Sequence, residues 1–590
     1  MEDLKVFYKK RVEAHRELLG KVKQRLALSS TVRLILFVVV ITLVYLVFGE
    51  TKLVLGIIIV TIGIFLYLVS KHTDLQYERD MLLALIKINE TEIQVLERNF
   101  YHLPDGSDYK KPTHYFAQDI DLFGKGSFYQ YSNRTALNQG SDMLVEMLLS
   151  NNIDGIESKQ KAVEELAKMS DWRQQFSAIA ILVKTDTTTK TIVSWLKGYK
   201  AYVPKAMRFL PNLFSLVSVI LIGGYLLGIS PGFPIFIILL LGLLISGFYL
   251  KKTSILASDA NKLQSTFQQY QKLILKIEEE EFTSDLLKEK RNSVVSKEQL
   301  ASRVLKEFSE ILSALDQRNN MFFALLGNGF FLWDLRQAYR VEQWIGKHGL
   351  KVENWFHTIA IFDAYNSLGN FAHNHPSYTY PNLVENEIVL RSERASHPLL
   401  DPKKAVPNDI NILKEQFFIV TGANMAGKST FLRTVSLQIV MANVGLPVCA
   451  SAAEYSPIKL ITSMRTTDSL TDDESYFFSE LKRLKFIVDE IQNDKYFIVL
   501  DEILKGTNSM DKAIGSRKFV EKLVASKSTG IIATHDLSLC EASEDLPQIK
   551  NYYFDAEIID NELHFDYTFK TGVCKNMNAS FLLKKMEIVE

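Results

Sequence analysis

Cysteine is scarce, proline is missing from one long stretch, and neither sign of charge is in excess. The 590 residues include three cysteines, Cys449, Cys540 and Cys574. None has C-x-x-C spacing, which excludes a zinc ribbon or a disulfide framework and fits a reducing compartment. Lys plus Arg and Asp plus Glu each number 68, so the formal net charge is zero. That excludes a globally basic nucleic-acid coat, though not a local basic patch. Residues 251–375 contain no proline, and runs there such as LQSTFQQYQKLILKIEEEEF and ASRVLKEFSEILSAL carry helical periodicity. The Glu278–Glu281 run reads as a solvated helix face. Hydrophobic residues make up 47% and charged residues 23%, which excludes a disordered or fibrous chain. The length predicts about two to four domains.

Charge is also missing locally. Residues 34–49 (LILFVVVITLVYLVFG), 53–69 (LVLGIIIVTIGIFLYLV), 209–229 (FLPNLFSLVSVILIGGYLLGI) and 233–250 (FPIFIILLLGLLISGFYL) hold no Asp, Glu, Lys or Arg. With its flanks, each approaches the roughly 20 residues that cross a hydrocarbon core. Glu50–Lys52 and Ser230-Pro231-Gly232 are short turns, so the four runs form two helical hairpins. A buried core helix is the other reading of such a run. Apolar character on every face and the pairing favour the membrane. Lys5, Lys9, Lys10, Arg11, Arg16, Lys21, Lys23, Arg25 and Arg33 precede the first hairpin, and Lys71, Lys205, Arg208, Lys251 and Lys252 flank the other inner ends. The outer turns hold only Lys52. The expectation is a multi-pass protein of the plasma or inner membrane, with both termini and residues 71–208 in the cytoplasm. Residues 1–33 are too long and too charged for a signal peptide. Leu4, Tyr8, Leu18, Leu19 and Val22 make them an amphipathic helix that lies on the membrane, pairs with another chain or is simply solvated.

The chemistry is concentrated further on. From about residue 385, short β-rich runs alternate with helices, which marks an α/β domain. Residues 417–430 read FFIVTGANMAGKST, an apolar strand, then G-x-x-x-x-G-K-[ST], then the helical TFLRTVSLQIVMANV. This is the context the phosphate-binding loop requires. Its residues, Gly422, Ala423, Asn424, Met425, Ala426, Gly427, Lys428, Ser429 and Thr430, would cradle the phosphates of ATP at a helix N-terminus. Lys428 would meet the β- and γ-phosphates, and the Ser429 hydroxyl would ligate Mg²⁺. A second strand, YFIVLDE at 496–502, ends in two carboxylates. Asp501 would hold Mg²⁺ and Glu502 would polarise the attacking water. A third, TGIIATHD at 529–536, delivers His535 toward the γ-phosphate.

Together these segments resemble the ATPase domain of the MutS family. TGANMAGKSTFLRTV is similar to the family's phosphate loop. LDEILKGTNSMD resembles its Walker B and D-loop through Gly506, Thr507 and Asp511, and ATHD resembles its switch strand. VPNDINI (406–412), ASHPLL (395–400) and YTFKTGVCKNMNASFLL (567–583) extend the resemblance over about 390–585. It implies a composite site in a homodimer, with Ser475 of TDDESYFFSEL contacting the partner's γ-phosphate in trans. The family's adenine-stacking aromatic before the phosphate loop has no counterpart in AVPNDI, which leaves that residue unassigned. DLFGKGSFYQYSNRTALNQGSDMLVEMLL and ESKQKAVEELAKMSDWRQ are similar to the start of its helical lever core. Nothing in the first 100 residues resembles its mismatch-reading domain. Phe308-Ser309-Glu310 and Phe478-Ser479-Glu480 have the spacing of the Phe-x-Glu wedge only by coincidence.

The expected architecture is a mixed α and α/β multidomain chain. It comprises an N-terminal helix (1–33), a transmembrane hairpin (34–70), a core-like helical segment (71–208), a second hairpin (209–250), a lever segment (251–384) and a C-terminal P-loop ATPase domain of the ABC/MutS type (385–590). The expected activity is hydrolysis of ATP to ADP and phosphate, opening and closing a membrane-anchored helical clamp on DNA or on a cytosolic or envelope protein. Binding of mismatched or branched DNA in repair or recombination is the alternative, with Lys288, Lys290, Arg291 and Lys297 as scattered basic residues. An ATP-driven transporter is disfavoured. DDESYFFSE lacks a Gly-Gly signature, and the apolar runs carry no charge that would mark a polar pathway. Gly223-Gly224 and Gly242 are candidates for dimer packing.

Overall fold

The structure is a computed structural model and describes residues 2–183, 188–295, 299–423, 425–465, 476–559 and 562–574. Ser475, Asn424, Lys297 and most of 567–583 beyond Cys574 lie outside the described residues.

The first hairpin is two unbroken helices, Glu2–Leu46 and Thr51–Leu96. No break separates residues 1–33 from the apolar run that follows, so the expected boundary at 33 falls inside a helix. Among the described residues these are the two helices long and apolar enough to cross a membrane. Leu34, Phe37, Ile59, Val60 and Leu66 stand exposed around their outer halves. The inner halves pack on each other, with Val12, Leu19 and Val22 against Leu82 and Ile86. Tyr8 is fully buried, and its hydroxyl donates to Asn374 Oδ1 at 2.7 Å. Residues 1–33 therefore dock on their own chain through Tyr8, Val12, Leu19 and Val22, while Leu18 stays exposed.

A helical body surrounds Val352–Asn374, which is buried along nearly its whole length. Helices Asn138–Leu149, Ile156–Lys168 and Ser170–Ile181 pack against it. Asp363 of the central helix accepts from the N–H groups of Ala136 and Leu137, at 3.0 and 2.9 Å to Oδ2. Burial pushes its carboxyl up to about 7. The long helices Leu250–Glu278, Ala301–Asp316 and Trp333–His348 extend from this body as a lever. Phe308 and Trp344 lock them with stacked rings 3.8 Å apart.

The second hairpin comprises Leu210–Leu226 and Phe233–Phe248. At 17 and 16 residues, each falls short of the roughly 20 expected of a straight span. The second bends by 70° into Leu250–Glu278, and only the bent pair together has the length to cross. A further apolar helix, Met321–Phe331, interrupts the lever and packs on this hairpin. Helical periodicity alone merged it with its neighbours.

Among the described residues the α/β domain holds three sheets, one of them the antiparallel pair Ala556–Ile559 and Glu562–Phe565. The largest runs in the spatial order Lys570–Thr571, Ile549–Phe554, Phe417–Gly422, Thr529–Ala533, Tyr496–Asp501, Lys459–Ser463. All neighbours are parallel except the edge strand Lys570–Thr571. Phe417–Gly422 is buried at every position, as a central parallel strand with covered faces must be. The four-stranded sheet runs Asn382–Leu383, Ala452–Tyr455, Ile388–Ala395, Asn408–Leu413.

Candidate functional site

Strand Phe417–Gly422 runs into the loop, and helix Lys428–Asn443 leaves it. Gly427 caps that helix at φ 104°, a left-handed geometry that costs glycine little. A Cβ at Gly422 (φ 149°) would lie 2.5 Å from the Phe554 carbonyl oxygen. The first glycine of the motif is thus required by the neighbouring strand.

Lys428 is buried, and its ammonium donates to the Gly422 and Ala423 carbonyls at 2.8 and 3.0 Å. Burial lowers its pKa, while Asp501 and Glu502 oppose the shift. Ser429 donates to Asp501 Oδ2 at 2.9 Å. Burial raises the Asp501 pKa, offset mainly by that hydroxyl. Glu502 Oε1 lies 2.8 Å from His535 Nε2, and Lys428 Nζ lies 3.3 Å from the same nitrogen. Nε2 cannot donate to one and accept from the other. A carboxylate only accepts, and its contact is the shorter, so Nε2 carries the proton and points it at Glu502. The His535 hydrogen bond holds the Glu502 carboxyl down at about 2. Glu502 sits at φ 48°, a strained backbone for a non-glycine residue, and its N–H donates to the Ala533 carbonyl at 2.9 Å.

These groups open into one cavity of about 530 Å³. It is lined by the loop, Asp501, Glu502 and His535 on one side and by His397, Val406 and Tyr567 on another. Burial holds the His397 ring down at about 4, so it is neutral near pH 7. Tyr567 stacks beside Phe565, with ring centroids 5.8 Å apart. Asn408 fastens this aromatic segment by donating to the Tyr567 carbonyl and accepting from the Phe569 N–H. The Tyr567 ring is half-exposed on the cavity wall. It lies far along the chain from the loop, and only the fold brings them together.

Two further connections were not legible in the sequence. Glu480, on helix Tyr476–Glu490, is buried and accepts from the Leu504 and Lys505 N–H groups at 2.6 and 3.1 Å. It therefore pins the turn that follows Glu502. Asp121, in the connection between the first hairpin and the helical body, pairs with Arg433 of the loop helix at 3.1 Å. The same carboxylate accepts from Arg465 Nη2 at 2.8 Å, beside the segment that leads to Ser475.

The donor set fits Mg²⁺. A hydroxyl and a carboxylate side by side are hard oxygen donors, and Mg²⁺ is commonly held by one or two carboxylates plus substrate phosphates. Among the described residues no cluster of three His, Cys, Asp or Glu forms an all-protein cage.

A mostly parallel sheet with a lysine, a hydroxyl, two carboxylates and an imidazole gathered at the carboxyl ends of its strands defines an α/β domain with its ligand cavity there. Residues 418–587 match the sequence model of MutS domain V. Through this domain, the chain is similar to the MutS family. It is similar to the DNA mismatch repair protein MutS of Methanosarcina mazei, 32% identical over 235 residues, or 38% of this chain and 26% of the relative. It resembles human MutS protein homolog 4, 30% identical over 243 residues, or 39% of this chain and 25% of the relative. With the DNA mismatch repair protein MSH3 of Candida albicans it shares 29% identity over 315 residues, or 50% of this chain and 29% of the relative. The chain thus spans between a quarter and three tenths of the length of these relatives.

Proposed function

We propose that the chain is a membrane-anchored ATPase that binds ATP in the cavity lined between Ala395 and Tyr567 and uses hydrolysis to move its helical lever. The observation that carries this reading is the convergence of Lys428, Ser429, Asp501, Glu502 and His535 on one cavity that Tyr567 also lines. Lys428 would exchange its loop carbonyls for phosphate oxygens. Mg²⁺, when bound by Ser429 and Asp501, would neutralise phosphate charge. Glu502 stays ionised and would orient and polarise the attacking water, with its carboxylate aimed by His535. The base would lie against Tyr567, bounded by Val406 and the neutral His397. Ser475 of a second copy would complete the site in trans.

The names of the relatives favour a second reading, binding of mismatched or branched DNA. The end of the lever is where a clamp would present basic residues. Here it carries exposed Met321, Phe322, Leu325 and Leu326. Phosphate contacts dominate DNA affinity and need cations, so this end suits a membrane-coupled role better.

The test is ATP turnover of the detergent-purified full-length chain, alone and with homoduplex, mismatched and branched DNA. Lys428→Ala should lose ATP affinity by roughly a hundredfold, the scale of about 3 kcal/mol for charged hydrogen bonds. Retained tight binding would remove the nucleotide assignment. Basal turnover unmoved by any DNA is the expected result, and stimulation by one DNA structure would install the second reading.

A further inference from the structure

We infer that helix Met321–Phe331 is a third membrane element, a half-inserted helix through which the lever itself enters the bilayer. Residues 319–333 (NNMFFALLGNGFFLW) contain no charge. The helix is 11 residues, so about 16 Å long, roughly half a hydrocarbon core. It cannot span. Both its ends also return to the same place. Arg318 before it and Asp334 after it form a largely buried ion pair at 3.2 Å. Trp333 Nε1 donates to the Ala314 carbonyl at 2.8 Å, which ties the outgoing lever helix to the incoming one. Leu332, at φ 49°, makes the sharp turn from Met321–Phe331 into the outgoing helix Trp333–His348.

One face of this helix is committed to the second hairpin. A Cβ on Gly242 would lie 2.2 Å from the Gly329 carbonyl oxygen, and one on Gly329 would lie 2.2 Å from Leu239 Cδ1. The two backbones therefore cross in direct contact, the small-residue packing by which helices associate in lipid. Gly242 is used within the chain; it is not free for the dimer packing its sequence suggested. Asn328, the one strongly polar side chain beyond the helix start, is buried and accepts from the Asp334 N–H at 3.0 Å. The opposite face holds Met321 (82% exposed), Phe322 (78%), Leu325 (47%) and Leu326 (51%). Leu240, Leu241 and Leu244 of the hairpin it packs on are exposed as well. An apolar face joined to an apolar hairpin, without a charge to satisfy, suits acyl chains.

This inference rests on the membrane reading of the hairpin, and one experiment separates the two. Nitroxide labels are placed by cysteine substitution at Leu325 and, separately, Phe322, with Leu240 on the hairpin and Glu310 on the lever as references. The full-length protein is reconstituted in phosphatidylcholine vesicles, and collision with oxygen is compared with collision with a water-soluble nickel complex. Leu325 and Phe322 should follow Leu240, with oxygen contact dominant, and Glu310 should show the reverse. Nickel access at 325 and 322 with lipid access at 240 would overturn this inference alone. Nickel access at 240 as well would overturn the membrane reading beneath it. Shielding of 325 and 322 from both reagents would also overturn it, by placing this face against a second copy of the chain.

Discussion

Glu502 is the residue on which the proposed chemistry turns, because its neighbours set its charge. Its carboxyl is held at about 2 against an ordinary 4.5, first by the His535 hydrogen bond. A depressed carboxylate contributes stability that is complete above about 4.5 and is lost as the pH falls through 2. Between those limits the native residue is still an acceptor for water's proton. His535→Ala removes the largest cause, so the acid limb of residual ATP turnover should move up toward pH 4–5, roughly the ordinary glutamate range. A pH–rate profile that does not move would show that His535 does not set this charge. Glu502→Gln keeps the shape and removes the acceptor. ATP should still bind, and turnover should fall by about 10²–10⁴ in a single-turnover assay. Unchanged turnover would place the base elsewhere.

At the scale of elements, the interest lies in how the strand ends are held. Helix Tyr476–Glu490 reaches the turn after Glu502 through Glu480, and Arg483 on the same helix donates to the Tyr115 and Thr462 carbonyls at 2.6 Å. One helix thus touches the site, the edge strand Lys459–Ser463 and the connection that leads back to the first hairpin. Burial raises the Glu480 pKa, and the Leu504 and Lys505 N–H groups oppose it. Glu480→Gln turns one of those acceptors into a donor facing an N–H. Loss of about 1–2 kcal/mol of loop positioning should lower kcat by roughly tenfold. Equilibrium ATP binding, measured separately, should barely change, and an equal loss in both would mean the helix shapes the pocket rather than the reacting end.

At the scale of the molecule, the chain couples an α/β domain to apolar helices through two routes. One is the first hairpin, whose inner halves are bonded into the helical body by Tyr8 and by the Arg11–Asp171 pair. The other is the lever, which ends in Met321–Phe331 against the second hairpin. Transfer of the exposed apolar faces out of lipid would cost on the order of 25 cal/mol per Å². The protein should accordingly stay with the membrane fraction through an alkaline carbonate wash, detected by immunoblot; release into the supernatant would make the attachment peripheral. At the crossing of Gly242 and Gly329 the lever's apolar helix and the hairpin meet backbone to backbone, with no side chain between them.

The sequence by itself determined what depends on local pattern. Charge-free runs marked the two hairpins, and strand-loop-helix spacing marked the phosphate loop. Apolar runs ending in Asp501-Glu502 and His535 marked the strands beside it, since a buried parallel strand has to be apolar and has to deliver its last residues to one edge. Only the tertiary structure decided what depends on contact between distant segments. Tyr567 meets the loop through the partnership of Asn408 with the segment around it. Glu480 meets the turn at Leu504 because a helix packs under it. Val12, Leu19 and Val22 are covered by the returning helix of their own hairpin. Met321–Phe331 separates from the lever at a left-handed Leu332 and a buried Arg318–Asp334 pair. Periodicity records which face of a segment is apolar, but it does not record what lies against that face.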